Sequence, residues 1–227
     1  MLLTVYRHLL QKHWPGNGIV CLTGLLIALN LPADFQISPA LLAKIENKYD
    51  VAAKNRVLAW QQLINSSRNK PEQEKLTLVN DFFNQRLAFV DDIDQWGMKD
   101  YWATPLEFLA SGGGDCEDFS IAKYFTLKEL GVSENKLRLT YVKAIKLGQA
   151  HMVLTYFPTL RAIPLVLDNL IPAIERATKR KDLLPVYSFN GSGLWIAKAR
   201  GTGQRVGSSK RLSMWETLKL KMARDEI

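Results

Sequence analysis

The chain has 227 residues, of which 47% are hydrophobic, 23% charged and 10% aromatic, so it can bury one sizeable core or two small lobes and is not a low-complexity chain. Its formal net charge is +8, but the basic residues are scattered and no recognisable nucleic-acid module accompanies them, so we expect no nucleic-acid partner. The charge is uneven: residues 81–118 hold nine acidic and two basic residues, whereas residues 173–227 are strongly basic.

The first 33 residues have the pattern of a targeting segment. Arg7, Lys12 and His13 precede an apolar run over residues 18–31. A basic start followed by about 7–15 apolar residues is typical of a secretory signal, whereas a membrane span needs about 20. We therefore interpret residues 1–33 as a signal peptide or an uncleaved N-terminal anchor, with a buried N-terminal helix as the alternative, and we predict a periplasmic protein.

The cysteine content agrees with export. Of the two cysteines, Cys21 lies in the apolar run, so removal of a signal peptide would leave Cys116 as the only thiol and would leave no intrachain disulfide. A lone cysteine in an exported protein is either reactive or incidental. The surroundings of Cys116 decide between these two interpretations.

The next part of the chain predicts a helical lobe. Serine is a favoured N-cap and proline suits the first turn, so Ser38-Pro39 marks a helix start. Apolar residues recur at helical spacing through residues 51–63 and again through 71–87, with a polar break at 66–69. We therefore expect a helical N-terminal lobe.

A cysteine-bearing helix and an antiparallel sheet are predicted to follow. Residues 90–114 have mixed polarity and end in three glycines, after which a helix is expected over 116–130, before Gly131. After Gly131 the apolar residues alternate with polar ones, as in strands. We expect strands at residues 137–143, 151–157 and 164–168, and one more hairpin over 186–198. This order predicts an α+β fold in which the cysteine helix packs on the sheet.

Cys116 follows a glycine turn at the start of its helix. The unsatisfied N–H groups there carry partial positive charge, which favours the thiolate, and the thiolate is the nucleophile. One of these N–H groups can also donate to an oxyanion, and Trp102 is a candidate indole donor for the same role. The alternative is a structural cysteine, although such residues are more often found inside a helix or a strand core.

A thiol nucleophile needs a base within hydrogen-bonding reach. His8 and His13 belong to the targeting segment, so His151 is the candidate base. Asp168 ends a predicted strand and could accept a hydrogen bond from His151, fixing its tautomer. The alternatives are a packing histidine and a turn-initiating aspartate. The case for catalysis depends on the three residues together.

Carboxylates surround the candidate nucleophile. Asp115, Glu117 and Asp118 flank it, and Asp100 and the acids of residues 91–94 lie upstream. So many carboxylates should raise the pKa of the thiol unless a cation compensates, and Ca²⁺ is a cation that takes six to eight oxygen ligands. The spacing is not that of an EF-hand. The alternative is that these acids only stabilise the helix dipole.

Several motifs between Pro71 and Trp195 resemble those of the bacterial transglutaminase-like cysteine proteinases. They are Val79-Asn80-Asp81-Phe82-Phe83-Asn84, Trp96-Gly97, Asp100-Tyr101-Trp102-Ala103-Thr104-Pro105, Gly114-Asp115-Cys116-Glu117-Asp118, Ala122-Lys123-Tyr124, His151-Met152-Val153-Leu154 and Pro164-Leu165-Val166-Leu167-Asp168-Asn169. The Asp-Cys-Glu-Asp core together with the His-Met-Val-Leu and Leu-Asp-Asn segments is a far more specific signal than one cysteine.

The resemblance implies a papain-like or transglutaminase-like fold. We assign residues 34–200 to this protease domain and residues 201–227 to a basic C-terminal tail that matches nothing. It places the catalytic triad on Cys116, His151 and Asp168. It implies calcium as cofactor, with ligands at Asp115, Glu117, Asp118 and Asp100. The implied substrate is a large repeat adhesin cut in its N-terminal region at a dialanine site, and the implied inhibitor is an inner-membrane receptor for cyclic di-GMP.

Two other functions fit the same residues. A transglutaminase or a peptide amidase would use the same triad, and only its products would differ from those of a protease. A non-catalytic binding module could use the fold to dock a receptor, although an intact triad argues against it.

Overall fold

The structure is a computed structural model that describes residues 34–159, 161–196 and 203–224. The predicted targeting segment, 1–33, lies outside these residues. Among the helices of the described ranges, none is long and apolar enough to cross a membrane.

A group of helices comes first, and one more helix follows the sheet. The α-helices of the described residues are α1 (Pro39–Lys48), α2 (Val51–Ser67), α3 (Glu72–Arg86), α4 (Asp92–Trp96), α5 (Pro105–Ser111), α6 (Cys116–Glu129) and α7 (Ser213–Ala223). The predicted start of the first helix is confirmed, because Ser38 caps α1 by accepting a hydrogen bond from the Leu41 N–H. The segment before the cysteine is more regular than predicted, since it contains α4 and α5.

The strands form one large antiparallel sheet and one small parallel pair. They are β1 (Ala88–Phe89), β2 (Gly113–Gly114), β3 (Leu137–Ala144), β4 (Gln149–Tyr156), β5 (Leu165–Leu167), β6 (Glu175–Arg176), β7 (Leu183–Phe189), β8 (Leu194–Ile196) and β9 (Gln204–Gly207). The large sheet has the order β6-β5-β4-β3-β7-β8-β9 and every neighbouring pair in it is antiparallel. β1 pairs in parallel with β2.

Helix α6 lies at the centre of the molecule. Its side chains from Glu117 to Tyr124 are all buried, because the helix packs against β4 on one side and against α3 and α5 on others. Ile121 on α6 and Met152 and Leu154 on β4 are fully buried in the same core. The predicted α+β fold is thus confirmed, with the cysteine-bearing helix packed on an antiparallel sheet.

The C-terminal segment differs from the prediction of a basic tail at 201–227. Its described residues extend the sheet with β9 and close the core with α7. Trp215 on α7 is 1% exposed and stacks on Phe125, with 5.5 Å between the ring centroids. The basic side chains dominate the composition of this segment, but Trp215 and Leu218 are three residues apart, so one helix face buries both. The domain therefore extends beyond residue 200.

Candidate active site and acidic cluster

Cys116 is the first residue of α6, and its place is fixed by the glycines before it. Gly112 ends α5 in the left-handed region, with φ of 83°. Gly114 has no room for a side chain, because an added Cβ would collide with the buried side chain of Asp118. Asp115 is the N-cap, and its side chain accepts a hydrogen bond from the Glu117 N–H. The predicted helix start at Cys116 is confirmed.

His151 lies on β4, beside the start of α6. The next residue on the strand, Met152, donates its backbone N–H to Cys116 Sγ at 3.4 Å. The His151 ring is 4% exposed, and its Nε2 lies 2.8 Å from Asp168 Oδ1. Nδ1 is therefore the ring nitrogen that remains for a contact with the thiol. The structure thus brings the three predicted triad residues together.

Asp168 follows β5 and is enclosed by partners. Its Oδ1 accepts hydrogen bonds from His151 and from the Leu170 N–H. Its Oδ2 forms an ion pair with Arg180 Nη2 at 2.6 Å. Burial tends to raise the pKa of Asp168, but hydrogen bonds and charge from His151 and Arg180 outweigh it and hold the pKa below its usual value. The carboxylate is therefore anionic at neutral pH and able to orient the imidazole.

The backbone of Asp168 is also anchored, by two residues of the family motifs to which the sequence alone assigned no role. Its carbonyl oxygen accepts hydrogen bonds from Asn84 Nδ2 at 2.8 Å and from Lys123 Nζ at 3.1 Å. Lys123 is fully buried on α6, and burial lowers the pKa of its ammonium to about 7, against the opposing charges of Asp168 and Asp81. Lys123 lies two helical turns after Cys116, so α6 holds both the nucleophile and the end of β5.

The predicted metal ligands meet beside Cys116. Ligand atoms lie within 4.8 Å of one another in three overlapping groups: Asp115 with Cys116 and Glu117, Asp92 with Asp100 and Glu117, and Asp92 with Asp115 and Asp118. All four predicted ligands therefore belong to one acidic cluster. Asp92 was not selected from the sequence, although it lies in the acidic run 91–94. Its buried position at the start of α4 singles it out.

The cluster fits a divalent cation. Asp92 and Asp118 each use one oxygen to accept a backbone N–H, from Tyr101 and Ala103 respectively. The other oxygens, Asp92 Oδ1 and Asp118 Oδ2, are buried and have no hydrogen-bond partner among the described residues. Such orphaned carboxylate oxygens are costly unless a cation binds them. Oxygen donors of this kind suit a hard cation such as Ca²⁺.

Burial, together with mutual repulsion, raises the pKa values of the same acids. Burial, followed by the charges of Glu117 and Asp118, raises the pKa of Asp115 far above its usual range. The pKa of Asp92 rises to about 6, chiefly through burial, and burial raises that of Asp118 well above normal. A cation in their midst would favour the charged forms and reverse these shifts.

The acidic cluster also acts on the thiol. Cys116 Sγ lies 2.7 Å from Glu117 Oε2. Burial first, and then the charges of Glu117 and Asp115, raise the pKa of the Cys116 thiol well above its usual value. This agrees with the expectation from the sequence that the flanking acids oppose thiolate formation.

A cleft of about 310 Å³ opens onto the thiol and the imidazole. Its lining residues are Phe89, Asp91, Asp115, Cys116, Glu117, Tyr141, Gln149, Ala150, His151 and Leu170. Trp102, the candidate indole donor, is absent from this lining and stacks on Phe189, with 5.8 Å between the ring centroids. The structure therefore gives no support to Trp102 as an oxyanion donor, and the N–H of Cys116 remains as the candidate.

The last helix reaches back to this region. Lys221 Nζ on α7 donates a hydrogen bond to the carbonyl oxygen of Trp102 at 2.7 Å. The two residues adjacent to Trp102 are those whose N–H groups hold Asp92 and Asp118. Helix α7 therefore contacts the segment whose N–H groups bind Asp92 and Asp118.

Comparison with known proteins gives a consistent result. The sequence profile of the family described as bacterial transglutaminase-like cysteine proteinase matches residues 52–195. Among solved structures, LapG from Legionella pneumophila is 45% identical, with 82% of this chain and 98% of that chain covered and a TM-score of 0.70. EGTA-treated and calcium-bound structures of the same protein give TM-scores of 0.71 and 0.69 at the same identity. No curated protein matches the sequence.

Proposed function

Because the chain belongs to the bacterial transglutaminase-like cysteine proteinases, we propose that it is a calcium-dependent periplasmic endopeptidase that cleaves the N-terminal region of a large surface adhesin and thereby controls biofilm attachment. The observation that supports the proposal most directly is that Cys116 and His151 line the same cleft, with His151 paired to Asp168 and the neighbouring Met152 N–H bonded to the Cys116 sulfur. The 45% identity to LapG supports it.

Cys116, His151 and Asp168 supply the chemistry of acyl transfer. His151 Nδ1 takes the thiol proton, and the Cys116 sulfur attacks the scissile carbonyl carbon. The carbonyl oxygen becomes an oxyanion that the Cys116 N–H can stabilise. His151 then gives the proton to the leaving amine as the C–N bond breaks, which leaves a thioester. Water, deprotonated by His151, cleaves the thioester and restores the thiol.

Calcium would be held by Asp92, Asp115, Glu117 and Asp118, with Asp100 at the edge of the same cluster. When bound, it would supply positive charge that offsets these carboxylates beside the nucleophile. The existence of a calcium-bound structure of LapG supports calcium as the cation. The orphaned oxygens of Asp92 and Asp118 support it independently.

The similarity to LapG also suggests the biological setting. We propose a large repeat adhesin as substrate, cut at a dialanine site, and an inner-membrane cyclic di-GMP receptor of the LapD type as inhibitor. The nature of the products distinguishes this function from the alternatives. We expect an N-terminal adhesin fragment to give two shorter chains in mass spectrometry. Ammonia release or incorporation of an added amine, without chain cleavage, would instead indicate an amidase or a transglutaminase.

Arg180 should matter for catalysis although it lies behind the triad. Its guanidinium forms a buried ion pair with Asp168, with side chains 3% and 0% exposed. A hydrogen bond to a charged group contributes about 1.5–3 kcal/mol, so Arg180→Met should lower the cleavage rate about 10–100-fold. Arg180→Lys should fall between Arg180→Met and wild type, because lysine keeps the charge and loses the planar fork. Initial rates at a temperature well below the melting point would measure this.

The matched control is Arg176→Met, which removes an exposed arginine of β6 from the same part of the chain. We expect it to keep the wild-type rate. If the folded Arg180→Met variant also cleaves at the wild-type rate, then Asp168 holds His151 without help from Arg180.

Export is proposed from the basic and apolar pattern of residues 1–33. A fusion of residues 1–40 to alkaline phosphatase should be active in intact bacterial cells, because this reporter folds only in an oxidising compartment. The matched control is Arg7→Glu with Lys12→Glu, which removes the basic start and should lower the activity. An inactive wild-type fusion would contradict export.

A further inference from the structure

The active-site cleft adjoins a second, larger groove. This groove has a volume of about 560 Å³ and is lined by residues 144–147, 170–171, 179 and 181–182. Leu170 lines both the groove and the cleft. A polypeptide that lies in the cleft therefore has the groove directly beside it.

The groove is apolar and exposed. Ile145, Leu147, Leu170 and Ile171 are 53%, 55%, 43% and 39% exposed, although apolar residues of this size are usually buried. They come from two elements, the β3–β4 hairpin turn and the segment that follows Asp168. An exposed apolar patch of this kind, next to polar groups, is typical of a binding surface.

The rim of the groove is basic. Lys146, Lys179 and Lys181 are exposed around it. Lys146 and Lys181 form no ion pair with a residue of the described ranges, whereas Lys179 pairs with Glu175. The one acid in the lining, Asp182, is already paired with Arg180 at 2.7 Å. The net charge that the groove offers to a ligand is therefore positive.

The groove also adjoins the elements that hold the triad. The β3–β4 hairpin turn leads into the strand that holds His151, and Leu170 and Ile171 follow Asp168 closely. Because Leu170 lines both the cleft and the groove, a chain that extends from the thiol past Leu170 enters the groove. This continuity, together with the basic rim, favours a substrate chain as the occupant of the groove.

We propose that this groove binds the substrate chain on one side of the scissile bond and selects a segment in which apolar residues accompany aspartate or glutamate. The proposal rests on the proposed endopeptidase function and specifies its substrate class. An extended segment of about four to six residues spans roughly 13–20 Å and would place its carboxylates near Lys146 and Lys181 while its apolar side chains cover Leu147 and Ile171.

The test is a cleavage profile of the full chain, with calcium present, on a mixed peptide library whose products are sequenced by mass spectrometry. We expect acidic residues to be enriched at fixed positions on one side of the cut. In Lys146→Glu/Lys181→Glu we expect this enrichment to be lost and basic residues to replace it, with kcat/KM for an acidic peptide about tenfold lower. Lys44→Glu, an exposed lysine of α1, is the matched control and should keep the wild-type profile.

Each outcome of this experiment decides something. Cleavage without acidic enrichment, or the same enrichment in the double variant, overturns the groove as a substrate site and leaves the endopeptidase intact. No cleavage of any peptide overturns the proposed function, and the groove proposal with it. If sedimentation shows a dimer that the double variant dissociates, the groove is an interface between two copies, and the proposal is overturned.

Discussion

Replacement of Cys116 by alanine should lower peptide cleavage by about 10⁵-fold or more, because the sulfur forms the covalent bond and no neighbouring group can replace it. His151→Ala should cost nearly as much, since the thiol then has no base. The double variant should be no worse than either single variant, because nucleophile and base act as a unit. Steady-state cleavage of an adhesin fragment would measure these rates.

Asp168→Asn should lower the rate by about 10⁴-fold, through loss of the correct histidine tautomer and orientation. Thermal melting provides the control for all three positions. Cys116 is partly exposed and its removal leaves no large cavity, so Cys116→Ala should melt close to wild type. Cleavage by purified Cys116→Ala at the wild-type rate would refute the assignment of the nucleophile.

Chelation of calcium should abolish most activity and lower the melting temperature. An ion that binds only the folded state at one hundred times its dissociation constant stabilises it by about 2.7 kcal/mol. For a domain of this size such a change corresponds to about 5–11 °C. Calorimetry and cleavage rates, measured on stripped protein and after calcium is restored, would show both effects. Magnesium should restore little, because it demands tight octahedral geometry and keeps its waters.

Variants of the acidic cluster make this prediction specific. Asp92→Asn and Asp115→Asn should weaken calcium binding and should copy the effect of the chelator on activity. Asp94→Asn is the matched control, because Asp94 belongs to the same acidic run and is exposed outside the cluster. Unchanged activity in EGTA, together with no heat of calcium binding, would leave Asp92 and Asp115 as charges at the starts of α4 and α6.

Local sequence signals were sufficient for much of the fold. Ser38 and Pro39 determine where α1 begins through capping and backbone geometry alone. The glycines before Cys116 correctly predict where the central helix begins. The change from helical to alternating spacing of apolar residues after Gly131 correctly predicts where the sheet begins. These features depend on residues a few positions apart, so a single sequence contains them.

Residues that act over long sequence distances were not predicted. Arg180 is 12 positions after Asp168, and Asn84 precedes it by 84. Arg180 belongs to no motif of the sequence, and Asn84 lies in a family motif that does not indicate its role, because both contacts with Asp168 arise only in the folded chain. Asp92 was one of several acids in a run, and only its burial distinguishes it. The basic composition of the C-terminal segment predicted a tail, whereas the helical spacing of Trp215 and Leu218 corresponds to the buried face of a helix.

The contact between Lys221 and the carbonyl of Trp102 joins residues 119 positions apart. During synthesis the residues around Trp102 emerge long before Lys221 does. A nascent or truncated chain that ends before α7 contains every triad residue and every acid of the cluster, yet it lacks this hold on the segment that orients Asp92 and Asp118. The hydrogen bond from Lys221 is therefore added to this segment only after α7 has been synthesised and has packed against the core.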